Sequence, residues 1–331
     1  MPKKLTKKPT YKPNTAISLY ELFKRFPDEE AARRYLEKDR WNGKITCGHC
    51  NSQRIVETPR KNKGYHKGYY RCKDCRKEFS VRTNSIFADS NIDLHIWFHA
   101  FYYMVTDRKG ISSIELSKKL GITQKSAWHM EGRIRESMEK GVCDFFFESI
   151  AEVEMDETGI GGIEENKHPD KKLRNGRGSV GKTPLFGIKG RNGGKTFMQV
   201  VKEVSKETLH PIIVQKVKPG AVLNTDQATC YCGIEKLGYT RKKVNHKKKE
   251  YVRGSASTNG IESVWATLKR GIHGVFHHVS DKHLQRYANE FAFRLNDGNC
   301  RYDTMDRIDG ILAGCWGKKL SYKMLTGKVA W

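Results

Sequence analysis

Asp156, Asp226, Glu262 and Lys269 are the residues whose types and spacing could carry chemistry. Asp156 lies in AEVEMDETGIGG, where apolar and polar residues alternate before a pair of glycines, as in a strand followed by a turn. Asp226 closes the short apolar run AVLNTD, read as a buried strand. Both acids are expected at strand ends, where neighbouring strands of one sheet would bring their carboxylates together. Residues 227 to 261, which number 35, separate Asp226 from Glu262, in the first turn of the helical stretch NGIESVWATLKRGIHGV. Lys269 follows Glu262 by seven residues, close to two helical turns, so the two share a face beside a buried one made of Ile261, Val264, Trp265, Leu268 and Ile272. Three carboxylates on a sheet and a helix can hold two divalent cations about 4 Å apart. Hard oxygen ligands select Mg²⁺ or Mn²⁺. Such a pair serves an in-line displacement at phosphorus, one ion activating a water or 3′-hydroxyl and the other stabilising the leaving 3′-oxygen. Each acid also has an ordinary alternative: Asp forms turns after strands, and Asn259-Gly-Ile-Glu262 resembles a capping box. It is the combination that points to chemistry.

A second set of ligands lies nearer the N-terminus. Cys47, Cys50, Cys72 and Cys75 form two Cys-x-x-Cys pairs separated by residues 51 to 71, which number 21. Each pair at a tight turn aims two thiolates at one point, and two pairs complete a tetrahedral zinc shell with no open position, hence a structural one. Four unrelated buried thiols would not show this paired spacing. The nine cysteines are not read as a disulfide set. The chain opens on the basic MPKKLTKKPTYKPN, without the apolar stretch of a secretory leader, and a reducing, cytoplasmic, nucleoid-associated setting is expected.

Elements and surroundings must serve these sites. The 331 residues allow several domains, and 62 Lys plus Arg against 37 Asp plus Glu leave a net charge of +25. That excess points to a polyanion, nucleic acid before a membrane surface. The longest apolar run, Trp97 to Val105, is too short to span a bilayer. Residues 1–16 read as a basic flexible arm. Residues 17–85 read as an N-terminal helix, with Asp28 as a cap and Ala31, Ala32, Tyr35 and Leu36 as its stripe, and the zinc ribbon. Residues 86–145 read as helical. Two periodic runs there break at Gly121-Ile122-Thr123, the cue for a helix-turn-helix, with an ordinary helical hairpin as the alternative. Gln124, Lys125, Ser126 and His129 would then meet base edges. Residues 146–300 give strands, a strand–helix alternation and two helices, a mixed α/β catalytic domain, and 301–331 a C-terminal tail. Arg241, Lys242, Lys243, Lys247, Lys248 and Lys249, with Lys269 and Arg270, would hold DNA against the acids. His277 and His278 either contact DNA or cap a turn.

GRGSVGKT, residues 176 to 183, fits the phosphate-cradling pattern G-x-x-x-x-G-K-[ST]. That loop requires a strand before it and a helix after it. Charged IEENKHPDKKLRN precedes it, and Pro184 with a strand-like LFGI follows it. It is read as a basic loop, and no nucleotide is expected.

RWNGKITCGHC, YRCKDCRKEFSVRTNSIF, AEVEMDETGIGG, VLNTDQ, TNGIESVWATLKRGIHGVFHHVS and KHLQRYANEFAFRLN, spanning about residues 17 to 297, carry a resemblance to a known family. The chain resembles bacterial insertion-sequence DDE transposases, in the ISXO-like group with an N-terminal zinc ribbon. The resemblance implies an α/β, ribonuclease-H-like catalytic domain behind the ribbon and helix-turn-helix. It implies a metal-dependent reaction that cleaves element ends and joins the 3′-OH to target DNA. By position, the triad would be Asp156, Asp226 and Glu262, with Asn259 a second candidate for the third place; the spacing to Lys269 favours Glu262. Partners would be double-stranded DNA at the terminal inverted repeats and the target, with a homo-oligomer on paired ends. The other readings are a DNA-binding regulator with an inert catalytic domain and a metal-dependent nuclease that cuts without joining.

Overall fold

A computed structural model describes residues 16–58, 68–143, 145–147, 152–162, 168–173, 180–191, 193–244, 252–253 and 256–327. Residues 1–15 of the expected basic arm, Lys247, Lys248 and Lys249, and the first four residues of GRGSVGKT lie outside them.

The N-terminal helix is two helices, α1 (Leu19–Arg25) and α2 (Glu29–Trp41). Pro27 between them lacks the N–H that a continuous helix would need. Asp28 caps α2, its Oδ1 accepting from the Ala31 N–H at 2.8 Å. The ribbon follows as three antiparallel strands, β1 (Ile55–Glu57), β2 (Tyr69–Cys72) and β3 (Glu78–Ser80). Trp41, Tyr70 and Phe79 pack behind it. Helix α3 (Leu94–Thr106) is buried along most of its length, as its apolar run requires. Helices α4 (Ser113–Leu120) and α5 (Gln124–Met138) pack on each other across the short turn Gly121–Thr123, where a helix-turn-helix is expected, with Gly121 closing α4 at φ 66°. Ser112 and Thr123 cap the two helices. A short α6 (Lys140–Cys143) leads to the α/β domain.

That domain is built on β4 (Glu152–Ile160), β5 (Thr183–Gly190), β6 (Thr196–Val200), β7 (Val222–Thr225) and β8 (Thr240–Lys243), with α7 (Lys206–Lys216) between β6 and β7. The order across the sheet is β6-β5-β4-β7-β8. The first three strands run antiparallel to one another, and β4, β7 and β8 run parallel. A pair of two-residue strands, β9 (Val252–Arg253) and β10 (Ala256–Ser257), precedes α8 (Asn259–Gly271) and α9 (Asp281–Leu295). Helix α8 packs on β4 and β5, and α9 on β6. This mixed sheet with its helices is the ribonuclease-H-like arrangement. Two features differ from the sequence reading. Asp156 lies in the middle of β4, not at its end, and Arg241–Lys243 form the edge strand β8 rather than a free basic run.

Two junctions make the halves one body. Side chains of α9 satisfy the backbone of edge strand β6: Gln285 accepts from Val200 N–H at 2.7 Å and donates to Met198 C=O at 3.1 Å, and Asn296 accepts from and donates to Thr196 at 2.7 and 2.8 Å. Between α5 and α9, buried Arg135 donates to Glu290 at 2.6 Å and pairs with Glu131 at 3.1 Å, while Arg294 reaches Glu290 at 2.5 Å. Charges so buried persist only when paired, which fixes the register of the two helices. Residues 301–331, expected only as a tail, include α10 (Thr304–Leu312) and α11 (Tyr322–Leu325). Met305, Ile308, Ile311 and Leu312 of α10 are core residues, and α10 packs on α3 and α5.

Candidate functional site

The four ribbon cysteines converge with their Sγ atoms within 4.8 Å of one another. Cys47 and Cys75 stand 3.6 Å apart, as do Cys50 and Cys72. Zinc–sulphur bonds of about 2.3 Å set the edge of a tetrahedral shell near 3.8 Å, so the sulphurs fit zinc with little movement. Each pair spans a turn: β2 and β3 flank the Cys72–Cys75 turn, and the pairing of β1 with β2, Ile55 opposite Cys72, brings the Cys47–Cys50 turn beside it. A structural zinc therefore suits this donor set.

The carboxylates gather by strand register. In the parallel pair, Glu154 lies opposite Asn224, and the same offset of 70 carries Asp156 to the level of Asp226, just past the end of β7. Asn224 fixes that register, its Nδ2 donating to Val153 C=O and Glu152 at 3.1 Å each. Asp156 and Asp226 come together with a third acid, Glu157, and one oxygen from each lies within 4.8 Å of the others. Successive strand residues point to opposite faces. Glu157 nonetheless reaches the same place because β7 stops at Thr225 and leaves the sheet open there.

Neutral groups hold these acids. Trp265 Nε1 donates to Asp156 Oδ2 at 2.9 Å, the Tyr231 hydroxyl to Glu157 Oε2 at 2.6 Å, and the Ala228 N–H to Asp226 Oδ1 at 2.8 Å. Burial pushes the Asp156 carboxyl up to about 6 against hydrogen bonds from the Glu157 N–H and Trp265, with Asp226 and Glu262 raising it further. Burial pushes Glu157 up to about 7 despite the Tyr231 hydrogen bond, helped by Asp156 and Asp226. Buried like charges without a protein cation repel one another, and a divalent ion would relieve that repulsion. Asp156, Glu157 and Asp226 thus fit a hard cation.

Helix α8 is seated by a buried carboxylate and two glycines. Glu154, only 6 % exposed, accepts from the Ile261 N–H at 2.9 Å. This supplies from β4 the cap that the sequence assigned to Glu262. Thr258 occupies the N-cap position without a side-chain cap, and its hydroxyl donates to Glu262 Oε1 at 3.0 Å instead. A Cβ at Gly260 would lie 2.6 Å from Glu154 Oε2, and one at Gly187, opposite Asp156 on β5, 2.5 Å from the Trp265 ring. Both glycines are needed for the helix to lie this close. Glu262 is near enough to raise the Asp156 carboxyl, yet its oxygens stand outside the three-acid cluster. Asn259 is exposed at the start of α8. Lys269 is half-buried two turns along.

The residues expected to hold DNA divide. Arg241 braces the Asp226 turn, donating to Thr225 Oγ1, Asp226 C=O and Ala228 C=O at 2.9 to 3.0 Å. Lys242 pairs with Glu152 at 3.3 Å. Lys243 and Arg270 are exposed. On the helix-turn-helix, Lys125 lies 4.6 Å over the Tyr322 ring, Gln124 donates to Ser113, and His129 contacts Leu320 C=O at 3.1 Å, so the C-terminal segment covers part of the expected reading face. Sequence reasoning missed Glu154, Glu157 and Tyr231. Glu157 was adjacent to a chosen acid, but alternation placed it on the wrong face; Glu154, two residues before Asp156 and so on its face, was the legible signal.

Residues 150–296 match the ISXO2-like transposase domain and residues 27–78 a transposase zinc-ribbon domain. An uncharacterised protein in transposable element ISH50 of Halobacterium salinarum is 24 % identical over 282 residues, 82 % of this chain and 92 % of that one. An uncharacterised transposase-like protein of Haemophilus influenzae is 28 % identical over 107 residues, 32 % of this chain and 85 % of that one. Among solved structures, the catalytic core domain of BIV integrase aligns at 15 % identity and a TM-score of 0.29, covering 44 % of this chain and 83 % of that one, too low a score to bear on the fold.

Proposed function

We propose, for a chain that belongs to the ISXO2-like transposase family with an N-terminal zinc ribbon, that it cleaves the ends of its own element and joins them to target DNA. The observation that carries this reading is the half-buried cluster of Asp156, Glu157 and Asp226, which faces no cation among the described residues, with Glu262 near it on α8. Two divalent cations, Mg²⁺ or Mn²⁺, would supply activation of the attacking oxygen and stabilisation of the leaving one. Asp156 and Asp226 would hold them, with Glu262 completing the set. Trp265 keeps Asp156 aimed, Tyr231 keeps Glu157 aimed, and Arg241 keeps the Asp226 turn closed. In cleavage, a water oxygen bonds to phosphorus and the 3′-oxygen leaves as a hydroxyl. In joining, that hydroxyl bonds to a target phosphorus and a target 3′-oxygen leaves. One phosphodiester replaces another in the second step, so no nucleotide is consumed. The ribbon and helix-turn-helix would recognise the terminal inverted repeats, and paired ends call for more than one copy of the chain. Lys269, Arg270 and Lys243 are suited to backbone phosphates.

The test is a supercoiled plasmid carrying the element ends, incubated with the purified chain and Mg²⁺. Cleavage and strand transfer, lost in Asp226→Asn with DNA binding kept, support the proposal. Specific binding without metal-dependent cleavage would leave a regulator, and cleavage without joining a nuclease.

A further inference from the structure

Beyond the carboxylates, α8 runs into a basin of about 430 Å³. Its polar side chains are Lys182, Lys269, His273, His277 and His278, and among the described residues none of these pairs with a carboxylate. Lys182 comes from the basic loop before β5, Lys269 from α8, and the histidines from the turn between α8 and α9. Gly161 and Gly162, just past the end of β4, form part of the wall; Lys182 packs against Gly161, and Gly162, where a Cβ would meet nothing within 4 Å, leaves backbone open to a close approach. Two departures from regular backbone build the site. Ile272–Phe276 continue α8 as a π-helical turn, and His277 takes φ 59°, in the left-handed region that a side chain rarely adopts. Such strain persists where surrounding structure enforces it, and here it sets neighbouring imidazoles at the rim of one cavity.

We propose that this basin is a phosphate subsite for the DNA strand that passes the carboxylates, holding a linkage about one to two positions from the one that reacts; this rests on the function proposed above. The distance follows from the helix. Seven residues of α8 separate Lys269 from Glu262, about 10 Å at ~1.5 Å per residue, and successive phosphates of a strand, ~3.4 Å apart along the axis but ~6.5 Å apart through space, cover that distance in one to two steps. A volume of this size admits a phosphate with its sugar. The all-basic rim selects the anion, and the mixed Lys and His donors contact it without reading base identity.

The experiment uses the full chain and a duplex ending at the element's terminal repeat, with single neutral methylphosphonate linkages placed in turn along the strand. Expected is a position about one to two linkages from the cleavage point where neutralisation weakens binding about tenfold. Lys182→Ala with His278→Ala should remove that sensitivity and lower the slope of log K against log salt by about 1. Lys182→Arg should keep both, and it answers the objection that the double variant is misfolded. Inorganic phosphate and ATP, added as competitors at concentrations that leave ionic strength fixed, should not displace the duplex; displacement would assign the basin to a free phosphate compound and overturn the proposal. If the chain cuts element ends yet shows no sensitive linkage outside the cut, the subsite is wrong and the function stands. If the chain neither binds nor cuts such DNA, both fall.

Discussion

The thiol cluster and the carboxylate cluster each bring ligand atoms within 4.8 Å, yet they are built in opposite ways. The cysteines come from two turns close in sequence, on strands of three or four residues with few apolar neighbours of their own. The acids come from residues 70 apart, on a five-stranded sheet covered by helices. In the ribbon the ion would supply the folding energy. In the sheet the fold exists first and forces like charges together, at a cost that only an ion would offset. Removing a ligand should therefore have opposite effects on stability in the two places.

The largest effect is expected in the ribbon. Cys72→Ser, or zinc chelation, should release the metal and unfold the strands around Trp41, Tyr70 and Phe79. Structural zinc contributes about 10–16 kcal/mol in small domains, far more than such strands can replace. Metal content and near-ultraviolet circular dichroism report the change. A ribbon that stays folded without zinc would erase the contrast.

Next is Asp156→Asn. Activity should fall by about 10³-fold or more, since the residue is both ligand and anchor for Trp265. Stability should rise. The folded carboxyl titrates near 6 against an ordinary 3.8, so above pH 6 the folded state carries a charge that it disfavours. Folding therefore binds more protons than unfolding between these values, and the penalty is complete at neutral pH. A shift of about two units corresponds to roughly 3 kcal/mol. Thermal melting at pH 7.5 should show a higher Tm for the variant, and a lower one would mean that Asp156 is held by attraction after all.

This contrast also governs what could be read from the sequence. The cysteine pairs declare themselves because their ligands are local. The helix cap at Asp28, and the order of strands and helices, were legible for the same reason. The sequence also indicated that Asp156 and Asp226 would converge. It did not indicate that Asp156 lies mid-strand, that Arg241–Lys243 pair as an edge strand, or that Glu154 caps α8 from another strand. Each of these depends on which strand ends first beside which neighbour, a property of sheet register rather than of any window of residues.

Glu154→Ala should have a smaller effect that bears on both stability and site. The helix loses a cap of about 1–2 kcal/mol, and Glu262 loses its fixed approach. Mn²⁺ titrated by calorimetry into the variant should bind several-fold more weakly, while Glu154→Gln, which keeps an acceptor oxygen, should recover most of the affinity. Equal loss in both variants would show that the charge facing Arg191, 3.5 Å from Glu154, matters more than the cap.

The smallest effect is the most direct reading of the acids' repulsion. Cation binding needs ionised carboxylates, and the Asp156 and Glu157 carboxyls are pushed up to about 6 and about 7. Both are ionised at pH 8, Glu157 is half protonated at pH 7, and Asp156 joins it near pH 6. If Glu157 contributes to the ion, Mn²⁺ affinity should fall about twofold from pH 8 to 7 and more steeply from 7 to 6, because protons and the cation compete for the same oxygens. In Glu157→Gln the upper step should vanish and the lower one persist, shifted down because a neighbouring charge is gone. An affinity flat from pH 8 to 6 would mean that the carboxylates ionise as freely as surface acids, and the distinction between a site made by its ion and a site strained by its fold would not hold.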